Sequence, residues 1–131
     1  MFVNIAEVLT LRNEEAGLEY AEKCYLLGRQ NNDPYLIYCG AISMARNLCL
    51  NRKMEEAWRY TREADRLSKR YDFKNRSDIY NTYGEIALEA GDYMKAGLYY
   101  EQAIREHGFS QAAYVVSTYV GYGRALIAQK K

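Results

Sequence analysis

The residues able to carry chemistry are few and poorly placed for catalysis. The chain has one histidine, His107. With no second imidazole, a histidine-based metal site cannot be assembled. His107 falls in the last turn of a predicted helix, where the helix dipole favours a cation. Three cysteines, Cys24, Cys39 and Cys49, cannot all pair within one chain. Cys39 and Cys49 fall on one predicted helix, roughly 15 Å apart at 1.5 Å per residue, which is too far for a disulfide. None has a histidine predicted nearby to activate it. Free, buried thiols in a reducing cytosol are therefore expected. Asp78, Glu85 and Glu89 follow one another at helical spacing, but nothing fixes a reacting group beside them. The run GYGRAL at 121–126 imitates a dinucleotide fingerprint, yet no strand precedes it. Asn75-Arg76-Ser77 matches a glycosylation sequon. The opening MFVNIAEVLTLRNEE, however, has no basic start and carries Glu7 within its apolar stretch, so no secretory signal supports its use. The chain reads as non-catalytic, with neither metal nor cofactor.

The elements that position these residues are helical. One proline in 131 residues permits long uninterrupted helices, and nine glycines are too few for a series of tight hairpins, which excludes an all-β sandwich. A hydrophobic share of 49% with 27% charged residues excludes disorder. Eighteen basic against seventeen acidic residues leave a net charge of +1, with no global bias toward nucleic acid or anionic lipid. One local bias exists: Arg59, Arg62, Arg66 and Arg70 form a helical stripe, extended by Lys69, Lys74 and Arg76. Glu63, Asp65 and Asp72 interrupt it, and no aromatic is arranged for base stacking. The stripe is read as a solvated outer face, and no nucleic-acid contact is expected. The most apolar window, QAAYVVSTYVGYGRALIAQ, is broken by Gly121, Gly123 and Arg124 and has tyrosines spread along it. It reads as a protein-covered helix rather than a membrane span.

Internal repetition organises the chain. AGLEYAEKC begins at Ala16 and AGLYYEQAI at Ala96, with MEEAWRYTREADRL between them. Ala16, Ala57 and Ala96 are evenly spaced, at steps of about 40 residues. Tyr80, Tyr83, Gly84 and Ala87 recur one period later as Tyr119, Tyr122, Gly123 and Leu126, and one period earlier as Ala41, Met44, Ala45 and Leu48. All are small or apolar, on the stripe of an amphipathic helix. Helices are predicted over 14–30 (capped by Asn13), 34–50 (opened by Asp33-Pro34), 54–70 (capped by Asn51), 78–90, 93–107 (after Gly91-Asp92) and from Ser110 onward. A further partner helix is expected over Phe2 to Leu11. A glycine inside a helix costs about 1 kcal/mol relative to alanine, so Ala45, Gly84 and Gly123 are expected where a neighbouring helix approaches closely. Ala57, Ala64, Ala96 and Ala103 are the small counterparts.

The segment SDIYNTYGEIALEAGDYMKAGLYYEQAI resembles the tetratricopeptide repeat through Tyr80, Tyr83, Gly84, Ala87, Gly91, Tyr93, Ala96, Tyr100 and Ala103. The unit before it keeps Ala41, Met44, Ala45, Leu48, Met54, Ala57 and Ala64. The period of about 39–41 residues is longer than the usual ~34, the excess lying in YDFKNRS, GRQNND and longer second helices. The resemblance implies an all-α, right-handed solenoid: a single repeat domain over 1–131, with a partial repeat at 1–33, repeats at 34–71 and 77–108, and a partial repeat at 110–131. The chain reads as an excised piece of a longer array.

In that family the first helices line a concave groove. The resemblance places Cys39, Ile42, Ser43, Arg46 and Cys49 there, then Asp78, Asn81, Thr82, Glu85 and Glu89, then Ser117, Val120, Arg124 and Ile127. Ile42, Arg46, Thr82, Ser117 and Gly121 stand where some relatives carry a carboxylate clamp, so that clamp is absent. The groove is one of mixed charge: Asp78, Glu85 and Glu89, flanked by Arg46 and Arg124. Such a groove can hold a polar peptide or a partner helix by paired charges and hydrogen bonds from Asn81. Alternatively, the arginines neutralise Glu85 between adjacent repeats. The function implied is a non-catalytic, cytoplasmic scaffold for a protein or peptide, with no membrane contact. Association between copies through uncapped terminal helices is also expected. The alternative is a sensory module of a longer bacterial transcription factor or signalling protein, binding a small effector or peptide.

Overall fold

The structure, a computed structural model, describes residues 14–73, 76–106 and 112–130. Six helices make up most of these: α1 (Glu14–Gln30), α2 (Pro34–Leu50), α3 (Met54–Arg70), α4 (Ser77–Glu89), α5 (Tyr93–Arg105) and α6 (Ala112–Gln129). No strand occurs among the described residues. No helix among them is long and apolar enough to cross a membrane. The expected helix over Phe2 to Leu11, the caps Asn13 and Ser110, and His107 lie outside the described residues.

Local chemistry sets the helix starts. Asp33 accepts hydrogen bonds from the backbone N–H of Tyr35 (3.1 Å) and Leu36 (3.2 Å), ahead of Pro34 at the first helical position. Asp92 accepts from the backbone N–H of Lys95 at 3.2 Å. The start of α3 differs from expectation. Asn51 caps the end of α2, its Nδ2 donating to the Asn47 carbonyl at 3.0 Å, and Lys53 precedes α3 without a side-chain cap. The cause is the connecting turn, which uses Asn51 and Arg52 to close α2 before α3 can begin.

That turn recurs. Asn32, Arg52, Asp72 and Gly91 have φ of 51, 62, 55 and 84°, each just past a helix end. In each case the next residue donates its backbone N–H to a carbonyl five residues back: Asp33 to Gly28 (2.9 Å), Lys53 to Leu48 (2.8 Å), Phe73 to Ser68 (2.9 Å) and Asp92 to Ala87 (2.9 Å). This is the Schellman closure of a helix, in which a left-handed residue lets the chain satisfy its last carbonyls. Glycine adopts that conformation freely, while Arg52 and Asp72 do so at some cost.

The chain divides into two compact units, Met1–Phe73 and Lys74–Lys131. In the first, α2 lies against both α1 and α3. Glycines permit the approach of α1 to α2: a Cβ on Gly40 would stand 2.6 Å from the Tyr25 backbone nitrogen, and one on Gly28 2.7 Å from that of Ile37. Ala21, Ala41, Ala45, Ala57 and Ala64 are fully buried. Beyond α3, Phe73 turns back onto α2, its ring edge-on to Tyr35 with centroids 5.4 Å apart.

In the second unit, α5 lies against α4 and α6, and α4 also touches α6. Ala96 and Ala103 are fully buried, and the Tyr100 side chain is 1% exposed. A Cβ on Gly84 would lie 2.9 Å from the Tyr100 ring, so the close approach expected at Gly84 is to an aromatic ring. The expectation for Gly123 is corrected: a Cβ there would meet nothing within 4 Å. The close contact in α6 belongs to Gly121, whose Cβ would collide with the Tyr100 ring at Cζ. The buried face of α6 is Thr118, Gly121 and Ala125, while Tyr119 and Leu126 are exposed. Either face is apolar enough to pack, but Gly121 leaves room for the ring without a Cβ in its way.

Candidate functional site

Each unit carries a polar constellation that joins its two outer helices. In the second unit it involves α4 and α6. Asn81, buried on α4, accepts a hydrogen bond from Thr118 Oγ1 at 2.8 Å, and its Nδ2 donates to Glu85 Oε1 at 3.0 Å. Ser117 Oγ donates to the same Glu85 oxygen at 3.3 Å. Thr82 Oγ1 donates to the Asp78 carbonyl one turn earlier, at 2.7 Å. Asp78, Glu85 and Glu89 are half-buried on α4, and Arg124 stands exposed on α6. Arg124 makes no ion pair with Glu85 among the described residues. Of the α6 groove positions implied by the repeat, Val120 and Ile127 are exposed and Ser117 is half-buried. The structure thus brings Asn81, Glu85 and Ser117 into one hydrogen-bonded set, with Arg124 outside it.

The remaining expected groove residues lie in the first unit, on α2. Cys39, Ile42, Ser43 and Cys49 are buried and Arg46 is half-buried. All three cysteines are free and buried. Burial raises the Cys24 thiol above its ordinary pKa. A thiol so placed is a poor nucleophile. Among the described residues, no group of three or more His, Cys, Asp or Glu could hold a metal ion.

The first unit's constellation has no counterpart among the residues expected from sequence. Tyr25 and Arg29, one turn apart on α1, meet Tyr60 and Glu63 of α3. The Tyr25 hydroxyl donates to Glu63 Oε1 at 2.6 Å and accepts from Arg29 Nη2 at 2.7 Å. The Arg29 guanidinium also pairs with the Glu63 carboxylate and lies over the Tyr25 ring, 5.1 Å from its centroid. Tyr60 meets Tyr25 edge-on, with centroids 5.3 Å apart. Burial, and then the hydrogen bond to anionic Glu63, raise the Tyr25 phenol above its ordinary pKa. Arg29 is held still more firmly protonated, first by its hydrogen bond to Tyr25 and then by the Glu63 charge.

This set forms one wall of an open cleft of about 630 Å³, which Met44 and Leu48 of α2 also line, together with Trp58, Arg59, Arg62 and Arg66 of α3. The sequence contains one signal for it, the arginine stripe at 59, 62 and 66, which by itself reads as a solvated face. Arg59, Arg62 and Arg66 are indeed exposed, but they border a cavity with an aromatic and apolar interior. The partner wall gives no sequence signal, because Tyr25 and Arg29 are far from Glu63 along the chain.

Compared with family models, with curated proteins and with solved structures, the chain finds no match.

Proposed function

We propose that the protein is a non-catalytic binding scaffold built from tetratricopeptide-like repeats, which holds a peptide or protein segment along the first helices of those repeats. The proposal includes the right-handed solenoid that the sequence resemblance implies, and a cytoplasmic setting. The observation that carries it is the single turn geometry repeated at Asn32, Arg52, Asp72 and Gly91. These positions follow one another at about 20 residues, which makes a two-helix period of about 40. That is the period read from the alanine and tyrosine series, so chain geometry and side-chain pattern repeat together. The Tyr100 ring against Gly84, with Ala96 and Ala103 fully buried, supports the same reading within one helix pair. Stacked helix pairs of this kind present extended surfaces on a fixed frame, and the chemistry of the surface selects the ligand.

In the second unit the proposed surface follows α4 and α6 and offers Asp78, Glu85, Glu89 and Arg124. The hydrogen bonds of Asn81 and Ser117 to Glu85 hold that carboxylate in place, which lowers the entropy lost when it binds a cationic group. The test is a lysate pull-down with the wild-type chain and with Glu85→Arg combined with Arg124→Glu, both checked for helicity by circular dichroism. A partner retained by the wild type and lost by the variant is the expected result. Equal retention by both would overturn the assignment of binding to this surface.

A further inference from the structure

We propose that the cleft between α1 and α3 is a docking site for a short acidic peptide segment in which acidic and apolar residues alternate. This goes beyond the scaffold reading and does not rest on it, since the arginines and the brace lie on α1 and α3 and none of the expected groove residues lines the cleft.

Charge identifies the ligand's sign. Four arginines and two glutamates line the cleft. Arg29 and Glu63 neutralise each other, and Tyr25 also engages both. What remains is Arg59, Arg62 and Arg66 against Glu56 alone. Among the described residues these three arginines form no ion pair or hydrogen bond. Their guanidinium groups are therefore available for charge-assisted contacts with carboxylates.

Shape identifies the ligand's form. The lining along α3 runs from Glu56 to Arg66, about 15 Å at 1.5 Å per residue. An extended peptide rises about 3.3 Å per residue, so four or five residues fill that length. A lone inorganic anion would occupy one arginine and leave the others unused. Arg59, Arg62 and Arg66 follow each other at roughly 4.5 and 6 Å along the helix axis. Alternate side chains of an extended peptide repeat at about 6.6 Å on one edge, a spacing long arginine side chains can match. The intervening side chains then face the other way, toward Met44 and Leu48, which are buried, and the rings of Tyr25, Trp58 and Tyr60. A polynucleotide fits less well. The apolar lining, with Met44 and Leu48 at its base, suits apolar side chains between the charged ones and offers nothing to a sugar–phosphate chain. Tyr25, Arg29 and Glu63 brace α1 to α3, so the cleft keeps its width before a ligand arrives.

The chain contains one tryptophan, Trp58, and it lines the cleft, so its emission reports occupancy directly. The full chain would be titrated with the blocked pentapeptide Glu-Leu-Glu-Phe-Glu, with its Lys-Leu-Lys-Phe-Lys counterpart, and with a single-stranded oligothymidylate. The expected result is a saturable change with the acidic peptide alone. Its affinity should fall at least tenfold in Arg62→Glu with Arg66→Glu, and by a smaller factor when both become alanine. The Glu85→Arg, Arg124→Glu variant should bind the peptide undiminished, which separates this site from the proposed surface on α4 and α6. No response to the acidic peptide would overturn the proposal, as would equal binding of the lysine counterpart. Tighter binding of the oligothymidylate would overturn it in favour of a nucleic-acid site.

Discussion

The two three-helix units solve one packing problem in opposite ways. In the first, a glycine on the middle helix lets backbone meet backbone, Gly40 against Tyr25, and the outer helices are tied by exposed and half-buried polar groups. In the second, a buried tyrosine on the middle helix fills the space, and glycines on both outer helices make room for its ring. The ties between those outer helices are the buried pair Thr118–Asn81 and the half-buried contact of Ser117 with Glu85. One unit therefore keeps its polar tie at the rim of an open cleft, and the other carries part of its tie into the core. On the proposed repeat reading, the outer helices of the first unit are both second helices of repeats, whereas those of the second unit are both first helices.

The comparison breaks most sharply at Tyr100. Tyr100→Ala removes the ring that fills the gap between two glycines, a large-to-small change expected to cost about 4 kcal/mol. Native-state hydrogen exchange should show the loss in α4–α6, with α1–α3 close to unchanged. Equal loss in both units would mean that they do not behave as separate stability units.

A smaller effect sharpens the contrast between backbone and ring contacts. Gly40→Ala sets a methyl against the backbone of α1, which cannot rotate away. About 2 kcal/mol of destabilisation is expected after the gain in helix propensity. Gly121→Ala meets the far end of a side chain that can shift, and about 1 kcal/mol is expected. Urea unfolding of the two variants, followed by circular dichroism, measures the order. A costlier Gly121→Ala would show that the Tyr100 pocket is the stiffer of the two.

The smallest effect is a pH dependence in the first unit. Tyr25 has its pKa raised in the folded state by burial and by Glu63. Such a group contributes stability that is fully present below the unfolded tyrosine value of about 10 and is lost as pH rises through the folded value. The stability difference between wild type and Tyr25→Phe should hold steady through neutral and mildly alkaline pH, then narrow above about pH 10. Parallel melting curves across that range would show that the hydroxyl network contributes nothing specific.

Much of this architecture is legible in the residues. Asp33-Pro34 and Gly91-Asp92 locate two helix starts because capping and left-handed turns depend on a few neighbouring atoms. Arg52 is invisible as a left-handed position, because arginine does not announce that conformation, whereas Asn32 and Asp72 are of types enriched in it. The register of α6 misleads for a different reason. Its sequence offers two apolar stripes, one through Tyr119, Tyr122 and Leu126 and one through Gly121 and Ala125. The shape of Tyr100, a residue on another helix, chooses between them. The network of Asn81, Glu85 and Ser117 is half legible: Asn81 and Glu85 lie one turn apart, but the contact to α6 needs the packed structure. The cleft depends entirely on tertiary contact, since Tyr25 and Glu63 become neighbours only when α1 and α3 dock on α2.

The three buried thiols have a use that their chemistry conceals. Cys24, Cys39 and Cys49 all lie in the first unit, and the second has none. A thiol-trapping reagent that cannot enter the folded core reacts only when α1 or α2 opens. Its rate under native conditions is therefore a clock for the first unit alone, blind to α4–α6. Labelling that stays slow while amides of α4–α6 exchange quickly would show the second unit opening first, with no substitution made anywhere in the chain.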